Sequence, residues 1–375
     1  MSCPKERIVE PEIKRQMALA SFYIGREETL IFWLDGDSPE TQVEHVSLGR
    51  EEIAEAARKL HFLFSPDQIN PRRPERTTDM SWLNPIGEKL LGPLADRLAK
   101  CSTLIVSPHA ELHLIPLHLL SPTGGVPLGI THSITYVANL SFYALLLSRS
   151  AAKVDNFTVP SLCLSTAAVE DCDPIHQSFA IAPRAFAEKT GGIFLQGINA
   201  TGEAFIHYAE SAKSLYLSCH GHFDINSPLE SALFLSDGRS LPSYKQGNSA
   251  LHRLSVRDIL GMHIGSRLVI LDACMSGNQR FSPGDEPIGF PTAFLLSGTS
   301  AVIASSWSVE QNYARCFMLA LLDHWSSGSS IGQAMQKAYS ATKAKSEHGH
   351  PFHWAAFSLF GNDRLPFNLI GIERK

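Results

Sequence analysis

The chain has 375 residues, 44% of them hydrophobic and 18% charged, with a formal net charge of −5. That length and balance suit one large or two fused units of a well-packed globule, not a disordered chain. The absence of a long basic run points away from nucleic acid as a partner, and no apolar run reaches the length needed to cross a membrane. The opening Met1-Ser2-Cys3-Pro4-Lys5-Glu6-Arg7 is polar and has no signal-peptide core, so a cytoplasmic protein is expected. Seven cysteines (Cys3, Cys101, Cys163, Cys172, Cys219, Cys274 and Cys316) are scattered without a Cys-x-x-Cys pair, which fits reduced thiols.

Residues 1–16 read as a loose polar lead-in. Two apolar runs within 18–34, parted by Gly25-Arg26-Glu27-Glu28, predict a hairpin, and 43–46 a third strand. Ser47 stands as a cap before an amphipathic helix over 50–63. Residues 65–74 are Pro- and Asn-rich loop, 81–98 helical in pattern, and 103–107 a strand. After the turn at 108–111 comes a second apolar segment at 112–120, then a Gly/Pro turn at 122–127, a strand at 134–137 and a helix from 140. Residues 151–157 read as a connection. This divides the chain into an amino-terminal α/β unit, 1–157, and a second unit, 158–375. The second unit opens with a strand at 161–164 and an acidic loop at 169–178, then a helix at 183–190 and a strand at 192–195. A helix capped by Thr201 follows. Strands are expected at 215–218, 232–235, 240–241, 268–272, 300–305 and 354–360, with Asp237-Gly238 as the turn of a hairpin. Helices are expected at 255–260, 287–297, 309–325 and 330–343. The alternation of strand and helix predicts a mostly parallel sheet flanked by helices.

Two stretches carry chemistry. Leu215-Tyr216-Leu217-Ser218-Cys219-His220-Gly221 and Leu268-Val269-Ile270-Leu271-Asp272-Ala273-Cys274-Met275-Ser276-Gly277 are apolar runs that end abruptly in polar residues and Gly. They read as buried parallel strands, and ligands of such sheets bind at the carboxyl ends of the strands. One strand delivers His220 there and the other Cys274. A thiolate nucleophile needs a base beside it and backbone N–H groups for the developing oxyanion. Gly221 and the Cys274 amide are placed to supply those donors. His220 precedes Cys274 by about fifty residues, the order and spacing of caspases.

The second half resembles the CHAT domain, a caspase-like family in the cysteine peptidase clan of caspases, metacaspases and separase. The resemblance rests on Leu217-Ser218-Cys219-His220-Gly221, on Leu271-Asp272-Ala273-Cys274-Met275-Ser276-Gly277, on 289–307, and on His350-Pro351-Phe352-His353-Trp354-Ala355-Ala356-Phe357. In the first half it rests on Ile105-Val106-Ser107-Pro108 and Leu112-His113-Leu114-Ile115-Pro116, so it covers nearly the whole chain. It implies a caspase-like fold with a smaller amino-terminal α/β subdomain. It also implies His220 as general base, Cys274 as nucleophile and a protein substrate, with no cofactor. Many family members carry helical repeats in the same chain. None is read here, so a regulating partner is expected in trans. The family context also implies gating and a place in bacterial antiviral defence or programmed cell death.

Family members often have Ser-Ala-Cys-Glu-Thr-Gly where this chain has Asp272-Ala273-Cys274-Met275-Ser276-Gly277. Side chains two apart on a strand share a face, so Asp272 and Cys274 can point into one cleft. This version is similar to metacaspases and implies a P1 pocket for Arg or Lys. The other reading of Asp272 is a cap on backbone N–H groups. Trp307 and Glu310, beside Ser308 after the strand at 300–305, are read either as subsite residues or, for Trp307, as an aromatic closing the core. His109, His113 and His118 read as structural. The loop 278–287, with Arg280, Asp285 and Glu286, reads as a solvated loop or a self-cleavage loop. Two other functions compete with the peptidase. One is a catalytically silent scaffold. The other is a metal-dependent hydrolase using His220-Gly221-His222-Phe223-Asp224, whose motif lacks its last His because Ile225 stands there. No metal site is assigned.

Overall fold

Period-two alternation sets the first three strands. In β1 (Met17–Ile24), Ala18, Ala20, Phe22 and Ile24 are buried, and in β2 (Thr29–Asp35) Thr29, Ile31 and Trp33 are. With β3 (Gln42–Val46) they form an antiparallel meander. Helix α1 (Arg50–Phe64) lays Ile53, Ala57, Leu60 and Phe64 on its buried face. The fold is seen in a computed structural model that describes residues 16–36, 40–64, 79–152, 157–167, 179–239, 251–282 and 284–370. The expected loops at 65–74 and 169–178, and the strand at 240–241, lie outside the described residues, as do most of the lead-in and 153–156 of the connection.

The helical pattern over 81–98 is broken into pieces. A 3-10 turn leads into α2 (Asn84–Leu91), and a second turn, Gly92–Leu94, precedes a short helix, Ala95–Leu98. Pro93 has no N–H to donate and its ring would clash with the preceding turn, so one helix cannot run through. Next come β4 (Thr103–Ser107), β5 (Ser133–Tyr136) and α3 (Leu140–Ala152), with the apolar segment 112–120 coiled into 3-10 turns between the two strands.

The later elements are β6 (Val159–Ser165), α4 (Ile181–Thr190), β7 (Ile193–Gln196), α5 (Gly202–Tyr208), β8 (Ala212–Ser218), β9 (His220–His222), β10 (Ala232–Ser236), β11 (Leu251–Ser255), α6 (Val256–Leu260), β12 (Leu268–Asp272), β13 (Gln279–Phe281), β14 (Pro287–Gly289), α7 (Phe290–Leu296), β15 (Ala301–Ser305), α8 (Gln311–Ser326), α9 (Ile331–Lys345), α10 (Pro351–Trp354) and β16 (Phe357–Gly361). The expected Thr201 cap accepts from the Ala204 N–H, and Ser255 and Ser330 form capping boxes; Ser47 is not the cap of α1, because Gly49 directly precedes that helix and the Gly49 N–H donates to Glu52. Three boundaries differ. The partner of β10 in its hairpin is β11. Residues 287–289 pair with β13 before the helix begins. The last strand starts at Phe357, because His350 accepts from the Phe352 N–H and Pro351 opens a helical turn over 351–354.

Eleven strands form one sheet in the order β3-β2-β1-β4-β5-β16-β15-β12-β8-β6-β7. The joins β2/β3, β1/β2 and β15/β16 are antiparallel and the others parallel. The architecture is therefore the expected mostly parallel sheet flanked by helices. Since β15 and β16 oppose each other, β6, β8, β12 and β15 all end at one edge of the sheet, while β1, β4 and β5 end at the other. One face packs under α1, α4, α8 and α9, the other under α5, α6 and α7.

His118 ties the segment before β5 to the turn before β16. It is fully buried; Nε2 lies 2.8 Å from the Ala355 carbonyl and Nδ1 2.9 Å from the Tyr136 hydroxyl. Burial pushes its pKa down from 6.5 to about 4, against the opposing hydrogen bond to Ala355. The ring is therefore neutral in the native state while an unfolded chain would take up a proton first. The neutral ring's contribution is complete above about 6.5 and is lost as pH falls toward about 4. We expect the stability advantage of wild type over His118→Gln, from urea unfolding, to shrink by about 3 kcal/mol between pH 7.5 and pH 4. A pH-independent difference would contradict this assignment.

Candidate active site

The site is built on the parallel pairing of β8 and β12, in which Ser218 stands opposite Asp272. Past this pair both chains leave the sheet at the same edge. The β8 chain turns through Cys219 into β9, where His220 pairs with Phe234 and Gly221 with Leu233 of β10. The β12 chain turns through Cys274 and Met275, whose φ of 55° lies in the left-handed region that a side chain rarely adopts. Gly221 is where the two meet. A Cβ on it would stand 2.6 Å from the Cys274 carbonyl oxygen and 3.3 Å from the Ala273 Cβ, so a side chain there would push the two turns apart. The structure thus brings together Gly221, Cys274 and the exposed His220 next to Gly221.

Further contacts brace the Cys274 turn. Gly277 N–H donates to the Ser305 carbonyl at 2.7 Å, and Ser305 N–H donates to Ser276 Oγ at 3.1 Å. Cys274 is half-buried as a residue. Burial pushes its pKa up and the nearby Asp272 charge adds to this, while a hydrogen bond with the Ser308 side chain acts the other way. The thiol is therefore not ionised of its own accord, and a base is required to activate it. Cys219 is pushed up further, to about 12, by burial and by Asp272 and Cys274. The described cysteines are all free thiols.

Asp272 is 8% exposed, and its Oδ2 accepts from the Tyr216 hydroxyl at 3.3 Å and the Ser218 hydroxyl at 3.5 Å. Burial raises its pKa to about 6 despite these two donors. Trp307 is 5% exposed; its ring centroid lies 4.5 Å from that of Phe64 and its Nε1–H donates to the Phe352 carbonyl at 2.9 Å. Glu310 is exposed at the head of α8, its Oε1 4.0 Å from His353 Nε2. The loop after the nucleophile is tied on two sides. Arg280 donates to the Ile225 and Asn226 carbonyls at 3.3 and 3.1 Å, beyond β9. Asp285 accepts from the Ala110 N–H at 2.8 Å and pairs with His113 at 3.1 Å. In the His222–Asp224 segment, Asp224 Oδ1 accepts from the Asn226 and Ser227 N–H groups and so closes its own turn. Among the described residues no group of three or more His, Cys, Asp or Glu could hold a metal ion.

The partners of Asp272 in the described residues are the Tyr216 and Ser218 hydroxyls and not the backbone N–H groups of the cap reading; the alternation Ser214, Tyr216, Ser218 along β8 marks the polar stripe on one face of a buried strand that supplies them. No helix among the described residues is long and apolar enough to cross a membrane.

Residues 82–362, well over half of the chain, match the family model described as CHAT domain. No curated protein matches the chain. Among solved structures, the chain is similar to separase in the Saccharomyces cerevisiae separase–securin complex, with a TM-score of 0.60 and 12% identity over 94% of this chain and 30% of that one. It is also similar to gingipain R (RgpB of Porphyromonas gingivalis), an Arg-specific cysteine proteinase, with a TM-score of 0.51 and 13% identity over 80% of this chain and 70% of that one. At these identities the likeness is one of fold, a caspase-like sheet with flanking helices. The chain spans less than a third of the separase chain it matches.

The raised pKa of Asp272 has a thermodynamic consequence. Its native pKa, about 6, exceeds the ordinary 3.8, so the ionised form costs native stability above about pH 6 and the cost vanishes below about 4. We expect Asp272→Asn, which can still accept from Tyr216 and Ser218, to be more stable than wild type by up to about 3 kcal/mol near pH 7.5. That advantage should disappear near pH 4 in denaturant titrations. An Asn variant less stable at every pH would mean that the carboxylate is not under strain.

Proposed function

Because the chain belongs to the CHAT-domain family, we propose that it is a cysteine endopeptidase with Cys274 as nucleophile and His220 as general base. The observation that carries this reading is the contact of Gly221 with the Cys274 carbonyl, which sets the His220 and Cys274 turns side by side at one sheet edge. In this mechanism neutral His220 takes the thiol proton as Cys274 attacks the peptide carbonyl. The oxyanion rests on the Gly221 and Cys274 amides. His220 returns the proton to the leaving amine, a thioester forms, and water activated at His220 hydrolyses it.

Asp272 forms the floor of a pocket for a basic P1 side chain, with Glu310 on its rim and Trp307 holding that rim from the core. A cation against Asp272 does two things at once. It answers a buried charge, and it cancels the field that opposes thiolate formation on Cys274. Cleavage after Arg or Lys is therefore favoured through reactivity as well as binding. Gingipain R is described as Arg-specific, and the separase structure holds a protein partner, securin. By analogy, a partner acting in trans or a processing step gates this enzyme, in a cytoplasmic defence or cell-death setting.

The test is a fluorogenic peptide library varied at P1, read with wild type, Cys274→Ala, Gly221→Ala and Asp272→Asn. Wild type should cleave after Arg or Lys and Cys274→Ala should not. Gly221→Ala should lose about 100-fold, because it displaces the dyad. For basic P1 peptides kcat/KM should fall as pH drops through about 6, where Asp272 takes up a proton. Activity that survives in Cys274→Ala would overturn the reading. Cleavage after other residues, unchanged in Asp272→Asn, would remove the pocket alone. Silence in every protein would mean either a missing activator or the catalytically silent scaffold, and the search would move to binding partners.

A further inference from the structure

The β13–β14 hairpin begins directly after the Cys274 turn, where the Asn278 N–H donates to the Met275 carbonyl at 3.1 Å. It pairs three residues a side, and a two-stranded hairpin is marginal on its own. Its place therefore depends on what holds its end. There it meets the segment 109–113. Asp285 Oδ1 accepts from the Ala110 N–H at 2.8 Å, and Oδ2 lies 3.1 Å from His113 Nε2. The His113 ring stacks on Phe281, with centroids 3.8 Å apart. The His113 side chain is 7% exposed and that of Asp285 21%. Burial pushes the His113 pKa down against the pull of Asp285, so the neutral ring donates through Nε2. Burial alone would raise Asp285, but the His113 ring and the Ala110 N–H hold its carboxyl below the usual carboxylate range.

The segment 109–113 is itself anchored to the first elements of the chain. The Ile24 N–H, at the end of β1, donates to His109 Nδ1 at 3.1 Å, and Arg50, at the head of α1, pairs with Glu111 at 2.8 Å. His109 and Glu111 thus face β1 and α1, while Ala110 and His113 hold Asp285. The backbone marks the same path. Among the described residues four non-glycine residues have a left-handed φ, and three of them lie along it: Ala110 at 52°, Met275 at 55° and Asp285 at 63°. Such conformations persist only where the surrounding contacts over-determine them.

We propose that Asp285 is a positioning residue: it clasps the Ala110 amide and the His113 ring, and through that clasp β1 and α1 set the hairpin and with it the Cys274 turn. Its meaning for catalysis rests on the peptidase reading above, and it gives the gating of that site a physical route through the segment 109–113. The same hairpin also reaches the other half of the dyad, because Arg280 donates to the Ile225 and Asn226 carbonyls beyond the strand that carries His220. Releasing the clasp frees the one end of the hairpin that is not continuous with the site.

Hydrogen–deuterium exchange, followed by peptide mass spectrometry, reads the Cys274 turn whether or not any peptide is cleaved. Wild type, Asp285→Ala, Asp285→Asn, His113→Phe and the double variant Asp285→Ala/His113→Phe are compared. Thermal unfolding and exchange of the β6 amides are the controls for folding. The reporters are the amides of Ser276, Gly277 and Asn278, which donate within the turn and to Ser305. In Asp285→Ala, and in His113→Phe, which can keep the ring stack, they should exchange about three- to tenfold faster, the worth of about one hydrogen bond. The double variant should exchange no faster than Asp285→Ala. Asp285→Asn still accepts from Ala110 and tolerates the left-handed φ, so it should stay near wild type. In peptide cleavage kcat should fall by a similar factor while KM holds. An unmoved turn in Asp285→Ala, Asn as fast as Ala, or a kcat indifferent to a loosened turn would overturn the assignment. A loosened turn beside cleavage that survives in Cys274→Ala would overturn the peptidase reading and leave the clasp standing. Cleavage that requires Cys274, with the turn unmoved, would overturn the clasp alone.

Discussion

The site depends on the register between β8 and β12. Parallel strands advance together, so pairing Ser218 with Asp272 obliges both chains to leave the sheet at the same height. Residues two beyond each member of that pair are His220 and Cys274, and the turns that carry them meet where Gly221 lies against the Cys274 carbonyl. A slip by one residue would turn the buried Leu215, Leu217, Val269 and Leu271 out of their core and would separate the two functional groups. Burial of those side chains is therefore what secures the geometry. Gly221 completes it by letting one turn rest directly on the backbone of the other.

The same register puts a carboxylate beneath the thiol. Asp272 is buried with only two hydroxyl partners, Tyr216 and Ser218, and its pKa is raised to about 6. An ionised group in that position opposes both the fold and the thiolate. Asp363, buried beside the Tyr143 hydroxyl, is likewise pushed up by burial, whereas Asp258, in the capping box of Ser255, is held below the ordinary range.

Much of this was legible in the residues. Apolar runs ending in Ser-Cys-His-Gly and Asp-Ala-Cys-Met-Ser-Gly announce two buried strands, and the cap at Thr201 marks a helix start by side-chain type. Contacts between segments far apart in the chain were not legible. The stapling of Ser276 to Ser305 arises only once β15 lies beside β12. Nor does the local pattern reveal that β15 and β16 run in opposite directions, which sends β4 and β5 to the far edge of the sheet and leaves the 3-10 segment at 110–119 to cross back. His113 and His118 read only as structural. They tie that crossing segment to the loop after the nucleophile and to the turn before β16.

The most direct measurement is labelling with a peptidyl acyloxymethyl ketone ending in Arg, followed by peptide mass spectrometry of every cysteine and by residual peptide cleavage. The proposed mechanism predicts a single adduct on Cys274, with cleavage lost in proportion to labelling. An adduct on Cys219, Cys101 or Cys316 instead, no adduct on Cys274, or cleavage that persists after Cys274 is labelled, would contradict the assignment of Cys274 as the nucleophile.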